Sequence, residues 1–259
     1  CIVPLFERDP ERITIFHENL PWFATFTSNL FVSGDDEKII FLFAWSLAAE
    51  EQFYAVWPAI EKFFKAAWAA LLCILVASIA LLARFKALEG VVPPDGFGHT
   101  LITSVPLGIS LGVLIAHVLH TRRGYRVIQA LLGQKWAAPV SLAILIGVAA
   151  IPGDLTELHR AVIYCSMAVV VAGCVVREDH GLSTILASTP FRLVGRVSYG
   201  MYLLHMLCIH VAIRALNLAG VTSVYFNFGM GLALTIGVAW LSFRYFESPI
   251  LKFKGRFAR

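Results

Sequence analysis

AAWAALLCILVASIALLA, residues 66–83, runs without a single charged side chain. A helix that crosses the hydrocarbon core of a bilayer needs about 20 mostly apolar residues, so this stretch is long enough on its own. It has company. Residues 101–116, 138–152, 161–176 and 222–243 are also free of charge, although 138–152 and 161–176 are short. The whole chain of 259 residues is 58% hydrophobic and 15% charged, with a mean hydropathy of +0.75. Soluble domains carry roughly 25% charged residues. Five apolar runs in one chain point to an all-α fold, a polytopic bundle of transmembrane helices.

Two further segments are amphipathic. Residues 45–61 carry Glu50, Glu51 and Gln52, and residues 199–216 carry His205, His210 and Arg214. Counting both gives about seven spans. Cytoplasmic connections collect Lys and Arg, and this sets orientation. Connections after spans one, three and five, with the tail after span seven, hold fourteen basic residues, among them Lys62, Arg122, Arg123, Arg126, Lys135, Arg177 and Arg196. The opposite connections hold Arg84, Lys86 and Arg160. The C-terminal tail is therefore expected in the cytoplasm. Residues 1–44, with acids at Glu7, Asp9, Glu11, Glu18 and Asp35–Glu37, are expected outside as a segment separate from a single domain over 45–259. The net charge of +4 reflects this topology. No basic run is interleaved with stacking aromatics, which excludes a nucleic-acid partner.

Cys73, Cys165, Cys174 and Cys208 lie inside apolar runs, where free Cys acts as a small hydrophobe. No CxxC or Cys/His spacing announces a metal, and none is expected. Gly108 and Gly112 have the small-xxx-small spacing of a helix-packing face.

Polar residues within spans narrow the function, because burying them costs free energy unless they find partners. In a helix over 45–61, Ser46, Glu50, Phe53, Tyr54 and Trp57 share one face. Glu50 is either a carboxylate in a membrane-embedded cavity or an acid at a water-facing helix end, where negative charge suits the N-terminus. In RVSYGMYLLH, 196–205, Ser198, Tyr202 and His205 share a face with Tyr199 beside it. An intramembrane His is a functional candidate, and its alternative is a neutral ring bonded to a neighbouring helix. In RYFESP, 244–249, Arg244 and Glu247 are three apart and are expected to pair, and Pro249 ends the helix.

These three stretches carry a resemblance. WSLAAEEQFYAVWP is similar to the W-S-L-x-x-E-x-x-F-Y signature, followed by Pro, of the acyltransferase-3 family of membrane O-acyltransferases, met at Trp45, Ser46, Leu47, Glu50, Phe53, Tyr54 and Pro58. TFTSNLF, 25–31, resembles its lead-in. GRVSYGMYLLH resembles the family's G-x-x-S-Y-x-x-Y-L-x-H, and FRYFESPILK its closing R-x-x-E-x-P. The motifs come in the family's order across roughly residues 22–255.

The resemblance implies a ten-helix plan in the inner (plasma) membrane of a bacterium, of which this chain supplies helices four to ten. It implies transfer of an acyl group, usually acetyl, from cytoplasmic acyl-CoA as co-substrate, with no bound cofactor. The acceptor would be a hydroxyl of a cell-envelope carbohydrate or lipid-linked saccharide. Glu50 and His205 take the catalytic positions. Trp45, Ser46, Tyr54, Ser198, Tyr199 and Tyr202 become substrate-binding, and Phe53, Trp57, Pro58, Arg244, Glu247 and Pro249 structural. Arg122, Arg123, Arg192 and Arg196 are candidates for the phosphates of CoA. The family's Arg/Lys-x10-His pattern is absent, since no His here has a basic residue eleven positions before it. The chain alone is thus expected to be an inactive portion of a longer enzyme. Competing classes are a transporter or flippase, whose internal repeats are not seen, and a non-catalytic subunit.

Overall fold

The computed structural model describes residues 10–32, 44–88, 90–93, 96–153 and 156–257. Glu7, Asp9 and Asp35–Glu37, used above to argue topology, lie outside the described residues, as does Arg259, one of the basic residues counted in the C-terminal tail. Among those described there are helices and no strand. The chain divides into two compact units, residues 1–181 and 182–259.

The first unit contains α1 (Pro10–Ala24), α2 (Ser28–Phe31), α3 (Ala44–Phe63), α4 (Ala66–Arg84), α5 (Phe97–Thr103), α6 (Leu107–His120), α7 (Arg122–Leu132), α8 (Ala137–Ala149) and α9 (Glu157–Val176). The second contains α10 (Ser183–Leu186), α11 (Thr189–Leu218), α12 (Val224–Ser242), a π-helical turn (Phe243–Glu247) and α13 (Ser248–Phe257). Four stretches are long and apolar enough to cross a membrane unbroken: Ala66–Arg84, Glu157–Val176, Thr189–Leu218 and Val224–Lys252. The bent pairs α5–α6 (48°) and α7–α8 (74°) raise the number to six if each is one span. The chain is a polytopic bundle of apolar helices and so an integral membrane protein. The difference from the expected seven falls on α3. It forms over the expected residues, but Glu50, Glu51, Glu61 and Lys62 leave it too polar to count with the others.

The breaks have local causes. Pro106 has no N–H to give to a helical carbonyl, so it cannot continue α5. The carbonyls released there are taken by the half-buried Arg84, whose Nη2 donates to Thr103 O and, at 2.9 Å, to Val105 O. A charge near the membrane thus has a structural task, satisfying backbone that lipid cannot.

Packing in the first unit sets α4 against α6, α6 against α9, and α9 against α8. Small residues face one another where backbones approach: a Cβ on Gly173 would lie 3.6 Å from the backbone of Ala138. Of the expected packing pair, Gly108 faces Tyr164 at ordinary contact distance, while Gly112 faces open space. Helix α2 lies on α3. Gln52 Nε2 donates to Phe26 O at 2.7 Å and to Asn29 Oδ1 at 2.9 Å, and Asn29 Nδ2 returns a bond to Gln52 Oε1 at 3.2 Å. The TFTSNLF lead-in is therefore the partner that satisfies one polar side chain of the α3 motif.

The second unit is built on the hairpin of α11 and α12. Helix α11 ends in a Schellman turn. Gly220, at φ +75°, adopts the left-handed conformation that favours glycine, and Val221 N donates to Leu216 O at 2.9 Å. The two helices then pack on small side chains. Gly200 lies against Ala239, Gly231 against Ile209, and Cys208, Ala212, Thr235 and Ala239 are buried.

Candidate active site

Each sequence motif falls on a helix that positions it. On α3 the first two turns bury Ala44, Leu47, Ala48 and Ala49, and Glu50, Glu51 and Gln52 follow half-buried at the edge of that face. Trp45 and Tyr54 are exposed, at 45% and 53%, and Ser46 is half-buried. Phe53 and Trp57 stack at 5.1 Å between ring centroids, almost parallel. Trp57 Nε1 donates to Glu61 Oε1 at 2.9 Å, and the same oxygen meets His117 Nε2 of α6 at 2.8 Å. Pro58 sits inside α3 without ending it.

On α11, Tyr202 and His205 are half-buried, with rings 5.9 Å apart. Both line a cavity of about 630 Å³ between α11 and α12, whose wall also includes Ile209, Asn227, Phe228 and Thr235. That volume lies within the usual range for small-molecule sites, about 300–1,000 Å³. His205 Nδ1 donates to Tyr202 O at 2.5 Å. In a neutral ring this bond assigns the proton to Nδ1 and leaves the lone pair on Nε2, the arrangement a general base needs.

Asn227 was not singled out by sequence. The residue lines the cavity, and its Oδ1 is buried with no partner among the described residues. The signal that could have found it is an amide within an otherwise apolar run. Thr235, by contrast, spends its hydroxyl on Gly231 O at 2.7 Å.

Ser198 and Tyr199 lie on the same helix but outside this cavity lining, and both are exposed. Ser198 Oγ donates to Gly195 O at 3.0 Å. His210 and Arg214 are exposed further along α11.

At the closing motif the expected Arg244–Glu247 pair is not formed. Residues 243–247 form a π-helical turn, whose wider winding takes residues three apart off a common face. Arg244 instead stacks over Trp240 and Tyr245, at 5.3 and 5.7 Å to the ring centroids. Glu247 Oε1 accepts from Ser242 Oγ at 3.4 Å and lies where a Cβ on Gly200 would approach within 3.3 Å. The closing motif thus packs onto α11 at Gly200, within the stretch that carries the α11 motif. Pro249 does not end the helix as expected: it stands at the second residue of α13, in the first turn where a missing N–H is tolerated, and the winding continues to Phe257.

The sequence model of the acyltransferase-3 family, described as an acyltransferase domain, matches residues 13–244. The chain belongs to that family. It is also 25% identical over 216 residues to a Bacillus subtilis (strain 168) protein named "Putative peptidoglycan O-acetyltransferase YrhL", which takes in 80% of this chain. The chain spans about a third of that relative's length, 34%. No solved structure matches.

Glu50 belongs to the first unit of this acyltransferase domain and Tyr202, His205 and Asn227 to the second.

Proposed function

We propose that the chain is the membrane-embedded part of an O-acyltransferase that passes an acyl group, acetyl first among candidates, from acyl-CoA to a hydroxyl of a cell-envelope carbohydrate or glycolipid. Family membership over residues 13–244 carries the reading. The relative's name makes peptidoglycan the first acceptor to try.

The transfer needs a base for the acceptor hydroxyl. His205 is assigned that role because it lines the cavity and its Nδ1 donates to Tyr202 O, which in a neutral ring makes Nε2 the basic nitrogen. The hydroxyl oxygen attacks the thioester carbonyl carbon as its proton passes to Nε2. The new C–O ester bond forms, the C–S bond breaks, and the imidazolium returns the proton to the departing CoA thiolate. Asn227 and Tyr202 line the same cavity and are assigned to substrate binding there. Glu50 is assigned to positioning or acceptor binding, with Trp45 and Tyr54 beside it on α3. Orientation with the C-terminal tail in the cytoplasm would put the CoA-facing end on the side rich in arginine.

The test is transfer of labelled acetyl from acetyl-CoA to the envelope glycan in membranes containing the full-length protein. Removing a general base typically costs about 10²–10⁴ in rate, so His205→Ala should lower transfer by at least about 100-fold. Glu50→Gln should impair it through KM, with expression unchanged. Undiminished transfer in both variants, or activity that persists without any acyl-CoA, sinks the proposal, and the second outcome favours a carrier.

A further inference from the structure

We propose that α7 is an interfacial helix that binds the headgroups of anionic phospholipids through Arg122, Arg123 and Arg126, with Val127, Leu131 and Trp136 set in the acyl chains beneath them. Sequence alone makes residues 122–135 a connection between spans. The structure folds Arg122–Leu132 into a helix with strongly segregated faces. Arg122 and Arg126 are one turn apart and Arg123 adjoins them, and all three are exposed. Val127 and Leu131, also one turn apart, lie on another flank and are exposed at 56% and 68%. Trp136, just beyond the helix, is exposed at 73%. In water such a flank would be a liability. At a bilayer surface it is the expected arrangement, basic above and apolar below.

The position of α7 within its unit supports the same placement. It meets α8 at 74°, and α8 packs along the membrane-crossing α9. It also contacts the end of α9, where Tyr125 Oη donates to Val176 O at 3.5 Å. A helix steeply inclined to the spans at their end lies in the plane of the interface. Both corners that set this angle are built. At the start, Thr121 Oγ1 accepts from Gly124 N at 3.0 Å, and a Cβ on Gly124 would fall 2.2 Å from Val118 O. At the end, Arg177 Nη1 donates to Gly133 O at 2.7 Å and Gly181 N to Lys135 O at 2.8 Å.

Guanidinium groups bind phosphate oxygens in bidentate fashion, and a cluster of them beside an apolar flank needs a ligand offering both phosphate and hydrocarbon. An anionic phospholipid offers both. A soluble phosphate would satisfy the arginines and leave Val127, Leu131 and Trp136 in water.

The experiment places the photo-cross-linking residue p-benzoylphenylalanine at position 131 and reconstitutes the chain in phosphatidylcholine vesicles with a minority of phosphatidylglycerol. Adducts are then read by mass spectrometry. Lipid adducts are expected, with phosphatidylglycerol enriched at least about threefold over its share of the bilayer, given the pull of each basic residue near a charged surface. High salt should reduce the enrichment. The triple variant Arg122→Gln/Arg123→Gln/Arg126→Gln should bring phosphatidylglycerol down to its bulk share. The corresponding triple Arg→Lys variant, which keeps the charge, should retain enrichment above that share. Three results overturn the proposal: adducts only to protein or none at all, lipid adducts at bulk composition in the unaltered chain, or enrichment abolished by millimolar CoA. The last would give the arginines to a nucleotide.

Discussion

The polar contact of α2 with α3 and the apolar contact of α11 with α12 hold family motifs in place by opposite means. The first is tied by amides, Gln52 and Asn29 bonded reciprocally, with Gln52 reaching Phe26 O as well. The second is closed by missing side chains, with Gly200 against Ala239 and Gly231 against Ile209. Within a bilayer the hydrophobic effect does little to bring apolar helices together, so close backbone approach is the main source of association. A hydrogen bond there contributes about 0.6 kcal/mol on average, because the separated helices also find partners. Shape should therefore matter more than hydrogen bonding in this chain, and the two contacts should respond differently to substitution.

The largest effect is expected at Gly231. A Cβ there would sit 3.2 Å from Ile209 Cγ1 and 3.6 Å from Ile209 Cα, so Ile209 must give way to a longer side chain. Replacing glycine by leucine improves helix propensity by up to about 1 kcal/mol, but overpacking a tight contact costs about 1–3 kcal/mol. Overpacking wins, and Gly231→Leu should lower the melting temperature in detergent or lipid. Gly237→Ala is the matched comparison, since a Cβ there meets nothing within 4 Å and should leave the melt unchanged or raised. Equal melts for the two variants would show that the hairpin is not held by shape.

A smaller effect is expected at the amide pair. Gln52→Ala removes the donor to Phe26 O and leaves Asn29 without its reciprocal partner, at about 0.5–1.5 kcal/mol for an ordinary hydrogen bond. A double-mutant cycle with Asn29→Ala isolates the coupling. Coupling larger than the Gly231→Leu effect would reverse the ranking of shape over hydrogen bonding.

The same contrast explains what was legible in the sequence. Apolar runs are long and uninterrupted, so the helical membrane class could be read from them, although the bend at Pro106 inside the run 101–116 was not. The three motifs also lie on helices in the expected order. Side-chain partners across helices were not legible, because nothing local shows that Gln52 answers Asn29 twenty-three residues earlier, or that Arg84 caps carbonyls at 103 and 105. Spacing also misled. Gly108 and Gly112 have the packing period, yet the close approaches fall at Gly173, Gly200 and Gly231. Arg244 and Glu247 have the pairing period only if the helix is regular, and the π-turn shifts its phase. Asn227 was hidden because an amide in an apolar run matters only once the structure shows the residue lining a cavity, with its oxygen buried and no partner among the described residues.

The smallest effect should come from a polar tie outside the spans. Beyond the end of α9, Arg177 Nε and Nη2 donate to the two oxygens of Asp179 at 2.8 and 3.1 Å, and Lys135 Nζ approaches at 3.6 Å. The hydrogen bonds from Arg177, with the charges of Arg177 and Lys135 added, hold the Asp179 carboxyl below its usual range. A lowered folded-state pKa means that this carboxylate stabilises the fold above the unfolded-state value, about 3.9 for Asp. That contribution is lost as pH falls through the folded-state value. Water screens so exposed a group, so the slope should be slight compared with either helix contact. The measurement is the melting temperature of the protein and of Asp179→Asn as pH is lowered from neutral through the carboxylate range. The two should converge at the acid end, where the native aspartate has taken up its proton, and differ slightly near neutrality. A constant offset at every pH would mean that Asp179 acts through the shape of the α7–α8 corner rather than through its charge, and this corner would then join the α11–α12 hairpin as a contact held by geometry.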